Sequence, residues 1–201
     1  MLRLLLFISI IIYSTLSLSK SIVVLGDSIS AGYGISLDNA WVNLLQKKLN
    51  QENYSYQVIN ESISGDTTYG GLSRIDSVLK KHQPTIILIE LGANDGLRGL
   101  PPLLIKKNLR ELVKKSKKAG ASVVLLSMRI PTNYGKRYTD LFYDNYSDLA
   151  QEMRVHVVPF ILDNIATKQR LMQADGLHPN GQAQPMIVEK IWPFLIPLLT
   201  P

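Results

Sequence analysis

Ser28 stands in Gly26-Asp27-Ser28-Ile29-Ser30, directly after the apolar run Ile22-Val23-Val24-Leu25. A hydroxyl at a strand-to-helix turn lies beside backbone N–H groups and can act as a nucleophile once a base is at hand. The same residue can equally serve as a helix cap. Candidate bases are few, because the chain holds three histidines and no cysteine. His82 follows Lys81 in a charged segment and reads as a solvated loop residue, while His156 lies between valines and reads as a core or sheet residue. His178 lies in Asp175-Gly176-Leu177-His178-Pro179-Asn180, where a carboxylate three residues upstream can reach the imidazole, fix its tautomer and stabilise an imidazolium. Read alone, this spacing also describes a capping aspartate beside a surface histidine.

Two further segments carry groups such a site would use. Gly65, in Ser62-Ile63-Ser64-Gly65-Asp66, lets a backbone N–H approach a ligand with no Cβ in the way. Asn94, in Glu90-Leu91-Gly92-Ala93-Asn94-Asp95-Gly96, can donate its amide to a developing oxyanion. Each also has a plain turn reading. Together the four segments supply the parts of an acyl-transfer site. Other chemistries are excluded or disfavoured: without cysteine there is no thiol catalysis, disulfide or thiolate metal site, and an all-histidine zinc site would need all three histidines. Ser30 and Ala31 stand where the G-x-S-x-G elbow needs a glycine, so that motif is not matched, and Gly32-Tyr33-Gly34 does not complete a dinucleotide fingerprint, so no NAD-type cofactor is expected.

The elements that must position these residues alternate along the chain. Ile22–Leu25, Thr85–Ile89 with Leu91, Ser122–Leu126 and Val155–Val158 are continuous apolar runs, and Tyr56–Ile59 is a weaker one. Such runs mark strands covered on both faces in a parallel sheet. Between them Trp41, Leu44, Leu45 and Leu49, then Leu72, Ile75 and Leu79, then Ile105, Leu109, Leu112 and Val113 have helical spacing, and Gln182–Leu195 supplies a last helix. The alternation predicts a three-layer α/β/α sandwich around a parallel sheet, with ligands at the carboxyl ends of its strands. No linker composition interrupts it, so one domain is expected over 20–201.

Residues 1–19, MLRLLLFISIIIYSTLSLS, have one basic residue, an apolar stretch and then small polar residues. That is the layout of a secretory signal peptide cut before Lys20, which would send the chain to a periplasm or outside the cell, with no stable membrane insertion afterwards. The apolar stretch is shorter than the roughly 20 residues of a membrane span. The net charge of +6 comes largely from lysine pairs such as Lys80-Lys81 and Lys117-Lys118 at the polar sides and ends of the helices. They read as a solvated face, and without interleaved aromatics no nucleic-acid partner is expected.

GDSIS, SGD with Gly65, GAND with Asn94, and DGLH resemble, in order and spacing, the four sequence blocks of the SGNH or GDSL hydrolases, and the likeness runs on through AWVNLLQKKL, RIPTNYGKRY and DGLHPNGQAQP. The resemblance implies a flavodoxin-like fold and a triad of Ser28, Asp175 and His178. It also implies an oxyanion hole from the Ser28 N–H, the Gly65 N–H and the Asn94 side chain. Ile29 replaces the leucine of the GDSL name, a conservative change. The implied function is hydrolysis of acyl esters and thioesters, including lysophospholipid and aryl ester substrates, through an acyl-enzyme and without cofactor. The expected partners are acyl-chain small molecules or lipids, met by a monomer. An acetyl-polysaccharide esterase and a non-catalytic acyl- or glycan-binding protein are the alternatives.

Gly96-Leu97-Arg98-Gly99-Leu100 follows the asparagine and precedes Pro101-Pro102. Glycines at both ends permit a flap, with Leu97, Arg98 and Leu100 against the substrate; they equally fit a rigid connector. The resemblance favours the flap.

Overall fold

The computed structural model describes residues 20–200; the expected signal segment 1–19 lies outside the described residues. Five strands, β1 (Lys20–Gly26), β2 (Tyr56–Asn60), β3 (Ile86–Glu90), β4 (Ser122–Leu126) and β5 (His156–Val158), form one sheet in the order β2-β1-β3-β4-β5, every pair parallel. Ile22–Leu25, Ile86–Ile89 and Val124–Leu126 are wholly buried, so the central strands are apolar on both faces for the reason their sequences announce. The order of strands reverses between β1 and β3, and the crevice beyond the carboxyl ends there is where ligands bind in open α/β sheets. The register sets Gly26 opposite Glu90, so both strands stop at the same level.

Among the described residues seven α-helices connect and cover the sheet: α1 (Ser28–Ala31), α2 (Trp41–Gln51), α3 (Thr68–His82), α4 (Ala93–Leu97), α5 (Pro102–Lys118), α6 (Lys136–Met153) and α7 (Gln184–Leu195). α5 packs between α3 and α6, and α2 packs on α7. Right-handed crossovers place these two groups on opposite faces, which gives the three-layer α/β/α sandwich.

Three local features differ from the reading of the sequence. α6, the longest helix, was not anticipated: its sequence is largely polar, and only Phe142, Asn145, Tyr146, Leu149 and Ala150 form the buried stripe. His156 is the sheet residue the sequence allowed, the first of β5, but it is exposed and not part of the core, because β5 is the edge strand. His82 is not a solvated loop residue: it ends α3 with its side chain mostly covered, its Nε2 2.5 Å from Glu61 Oε1.

Candidate active site

β1 delivers the nucleophile candidate. Asp27 caps α1, its Oδ1 accepting the Ile29 N–H at 3.1 Å, and Ser28 follows as the first helical residue. First-turn N–H groups have no intrahelical acceptor, so the Ser28 N–H is open to a ligand. Gly26 must be small: a Cβ there would lie 2.7 Å from Ser30 Oγ and 2.8 Å from Glu90 Oε2.

His178 arrives from the loop before α7. Its Nε2 lies 2.8 Å from Ser28 Oγ and its Nδ1 2.7 Å from Asp175 Oδ2. Asp175 Oδ1 also accepts the backbone N–H groups of Leu177 and His178, at 2.9 and 3.0 Å. These bonds, the His178 N–H first, hold the Asp175 carboxyl down at about 2, so it is an anion at any ordinary pH. As an acceptor it keeps the imidazole proton on Nδ1 and leaves the Nε2 lone pair for the serine. The Tyr33 ring packs against His178 with centroids 4.7 Å apart. Gln173 Nε2 donates to the Tyr33 carbonyl at 2.7 Å and the Pro179 carbonyl at 3.2 Å, tying the histidine loop to the segment after the serine.

β3 delivers Asn94. Gly92 makes the turn with φ +120°, and a Cβ there would lie 2.5 Å from the Tyr146 hydroxyl. One Asn94 amide hydrogen goes to Asp27 Oδ2 at 3.0 Å, which orients the amide and leaves the second hydrogen for a ligand. Gly65, exposed with φ +79°, sits in a loop fixed by the Ile63 N–H donating to the Gly26 carbonyl at 3.0 Å.

Ser28, Asn94 and His178 line one cavity of about 150 Å³, with Met128, Leu162 and Leu177 among its apolar walls. Of the loop residues expected beside the substrate, Leu97 lines it; Arg98 and Leu100 do not. Arg98 instead donates to the Gly65 carbonyl at 3.1 Å, and Leu100 packs on the core. Nor is Gly96 a free hinge. It is buried inside α4, where a Cβ would meet Ile130 at 2.7 Å and Phe142 at 2.9 Å. Tyr134 and Tyr138 donate to the Leu97 and Leu100 carbonyls, both at 2.7 Å, so the segment is tethered at two points.

Sequence reasoning missed Tyr33, Gln173 and two buried carboxyls, Asp27 and Glu90. Burial pushes Asp27 up to about 6 and Glu90 well above the carboxylate range. A signal existed for Glu90, the one charged residue in the otherwise apolar strand IILIE. Among the described residues no cluster of three histidine, aspartate or glutamate side chains forms a metal-binding set.

Comparison with known proteins extends the description. Residues 24–184 match the model of the GDSL-like lipase/acylhydrolase family. The chain is 49% identical over 171 residues to an arylesterase of Vibrio mimicus, covering 85% of this chain and 86% of that protein. It is 42% identical over 181 residues to thioesterase 1/protease 1/lysophospholipase L1 of Escherichia coli K12, covering 90% and 86%. It superimposes on the psychrotrophic esterase EstA from Pseudoalteromonas sp., solved inhibited by monoethylphosphonate, with a TM-score of 0.85 and 43% identity over 89% of this chain and 97% of that one.

Proposed function

The chain belongs to the GDSL-like lipase/acylhydrolase family, and from that premise we propose that it is an exported serine hydrolase cleaving acyl esters and thioesters through an acyl-Ser28 intermediate. One observation carries the reading: the run Asp175, His178, Ser28, joined at 2.7 and 2.8 Å, ends at a cavity that Asn94 also lines.

In this mechanism His178 Nε2 takes the Ser28 proton as Oγ attacks the substrate carbonyl, and the Asp175 anion stabilises the imidazolium. The negative charge that forms on the carbonyl oxygen meets the free Asn94 amide hydrogen and the Ser28 and Gly65 N–H groups. Collapse of the tetrahedral species expels an alcohol or thiol, protonated by His178. Water then repeats the sequence on the acyl-enzyme, losing its proton to His178 and releasing the acid with Ser28 restored. The apolar cavity wall suits an acyl chain, and Leu97 is the loop residue that touches it.

Residues 1–19 serve as the export signal, and 20–201 act as one domain in the periplasm or outside the cell. No helix among the described residues is long and apolar enough to cross a membrane. All reacting groups come from one chain, so a monomer suffices. The substrates are acyl small molecules or lipids, the class to which the names of the relatives point.

The reading is tested with p-nitrophenyl esters, acyl thioesters, a lysophospholipid and an acetylated polysaccharide, offered to the parent and to Ser28→Ala. Turnover of acyl esters and thioesters by the parent, lost in the variant, is expected. Turnover of the acetylated polysaccharide alone would reassign the substrate, and binding without turnover would make the protein a binding module.

A further inference from the structure

The mechanism leaves two carboxyl groups behind the serine unused. Glu90 is wholly buried. Its Oε2 accepts the Ser30 hydroxyl at 2.8 Å and the Asp27 N–H at 3.2 Å, and its Oε1 has no partner among the described residues. Asp27 is 1% exposed, and both its oxygens accept, Oδ1 from the Ile29 N–H and Oδ2 from Asn94 Nδ2. Among the described residues no lysine or arginine pairs with either group. The titratable neighbours are Tyr146 on α6, whose hydroxyl donates to the Leu91 carbonyl, Asp95 on α4, held by Thr68, and His178 on the closing loop.

Two adjacent carboxylates without a cation cannot both stay ionised in such a place. The hydrogen bonds say which one keeps a proton. Asp27 is addressed by a donor on each oxygen, as a carboxylate is, whereas a carboxylate at Glu90 would leave Oε1 charged and unsolvated. The location of the proton matters for Asn94. Were Asp27 the protonated partner, its O–H could donate to the Asn94 carbonyl oxygen and turn the amide over, pointing oxygen instead of nitrogen at the reacting carbonyl.

We propose that Glu90 is a positioning residue: held as a neutral acid in the working enzyme, it leaves the single negative charge on Asp27, and through Asp27 it fixes the Asn94 amide with its N–H toward the substrate. This rests on Asn94 serving the oxyanion. Burial raises Glu90 further than Asp27, in keeping with that order of protonation.

The test has a spectroscopic and a kinetic arm. Infrared spectra of the intact enzyme near pH 8, far above the ordinary carboxyl pKa of about 4, should contain a protonated carboxylic-acid C=O band that is lost in Glu90→Gln. In turnover, Glu90→Ala should lower kcat about ten-fold or more with KM within about two-fold, and Glu90→Gln should recover most of the loss. The loss should shrink sharply in an Asn94→Ala background, because the effect passes through that amide. Absence of the acid band, a band that survives Glu90→Gln, or an undiminished loss in the Asn94→Ala background would overturn the proposal. If Glu90→Ala does not fold, the infrared comparison decides alone. An enzyme inactive on every ester would sink the hydrolase reading yet leave the infrared result standing.

Discussion

Ser28 Oγ and His178 Nε2 stand 2.8 Å apart although 150 residues separate them along the chain. The contact depends on two clamps. Gln173 bridges the Tyr33 and Pro179 carbonyls, and Gln184, at the start of α7, accepts the Trp41 N–H at 3.0 Å while donating to the Asn180 carbonyl at 3.1 Å. The loop bearing His178 is thereby held to the segment that follows Ser28, so the geometry of the pair is fixed by packing and not by the loop's own propensity.

The orienting role of Asp175 is checked with Asp175→Asn. An asparagine amide at this site can donate to Nδ1 and hold the wrong imidazole tautomer, and in comparable triads this costs roughly 10⁴ in kcat. An Asp175→Asn enzyme with near-wild-type kcat would remove Asp175 from the relay.

Replacing Asn94 by alanine should lower kcat by about 10²–10³ with KM nearly unchanged, because the amide acts on charge that exists only in the transition state. Steady-state kinetics on one ester suffices. A raised KM with normal kcat would make Asn94 a ground-state binding group.

Much of this arrangement was legible in the sequence, for a physical reason. Central parallel strands are buried on both faces, so Ile22–Leu25 and Ile86–Ile89 announce themselves as unbroken apolar runs, and the residues just beyond them, Ser28 and Asn94, fall at the ligand-binding edge. What stayed hidden depends on contacts distant in sequence. The Asp27 bond to Asn94 across 67 positions and the Gln173 clamp across 140 have no local signature, and Glu90, the one charge in an apolar strand, signals its burial but not its partners. Gly96 left flap and connector equally open for the same reason, since a glycine that admits Phe142 looks like one that provides a hinge.

Gly96→Ala should destabilise the fold by about 1–3 kcal/mol, the usual cost of forcing extra volume into a packed site. Thermal or denaturant unfolding measures it. Unchanged stability would mean that the segment has room to move as a flap.

Stability should carry the mark of Asp27. Burial makes the folded protein hold this proton up to about 6, whereas the unfolded chain releases it near the ordinary aspartate value of 3.8. Between these values the native state binds more protons, so stability falls as pH rises through the window, by about 3 kcal/mol at full effect. Asp175, depressed to about 2, acts below that window and with the opposite sign. Asp27→Asn should make unfolding free energy decline less steeply between pH 4 and 6, and an identical slope in both proteins would contradict the assignment.

The central claim, an activated Ser28, is tested most directly by intact-mass measurement after exposure to a fluorophosphonate. A serine whose proton is drawn off by His178 should take up one equivalent, mapped by peptide digestion to Ser28, and labelling should vanish in Ser28→Ala and drop sharply in His178→Ala. A wild-type protein that remains unlabelled, or a Ser28→Ala variant labelled as fast as the parent, would contradict the account.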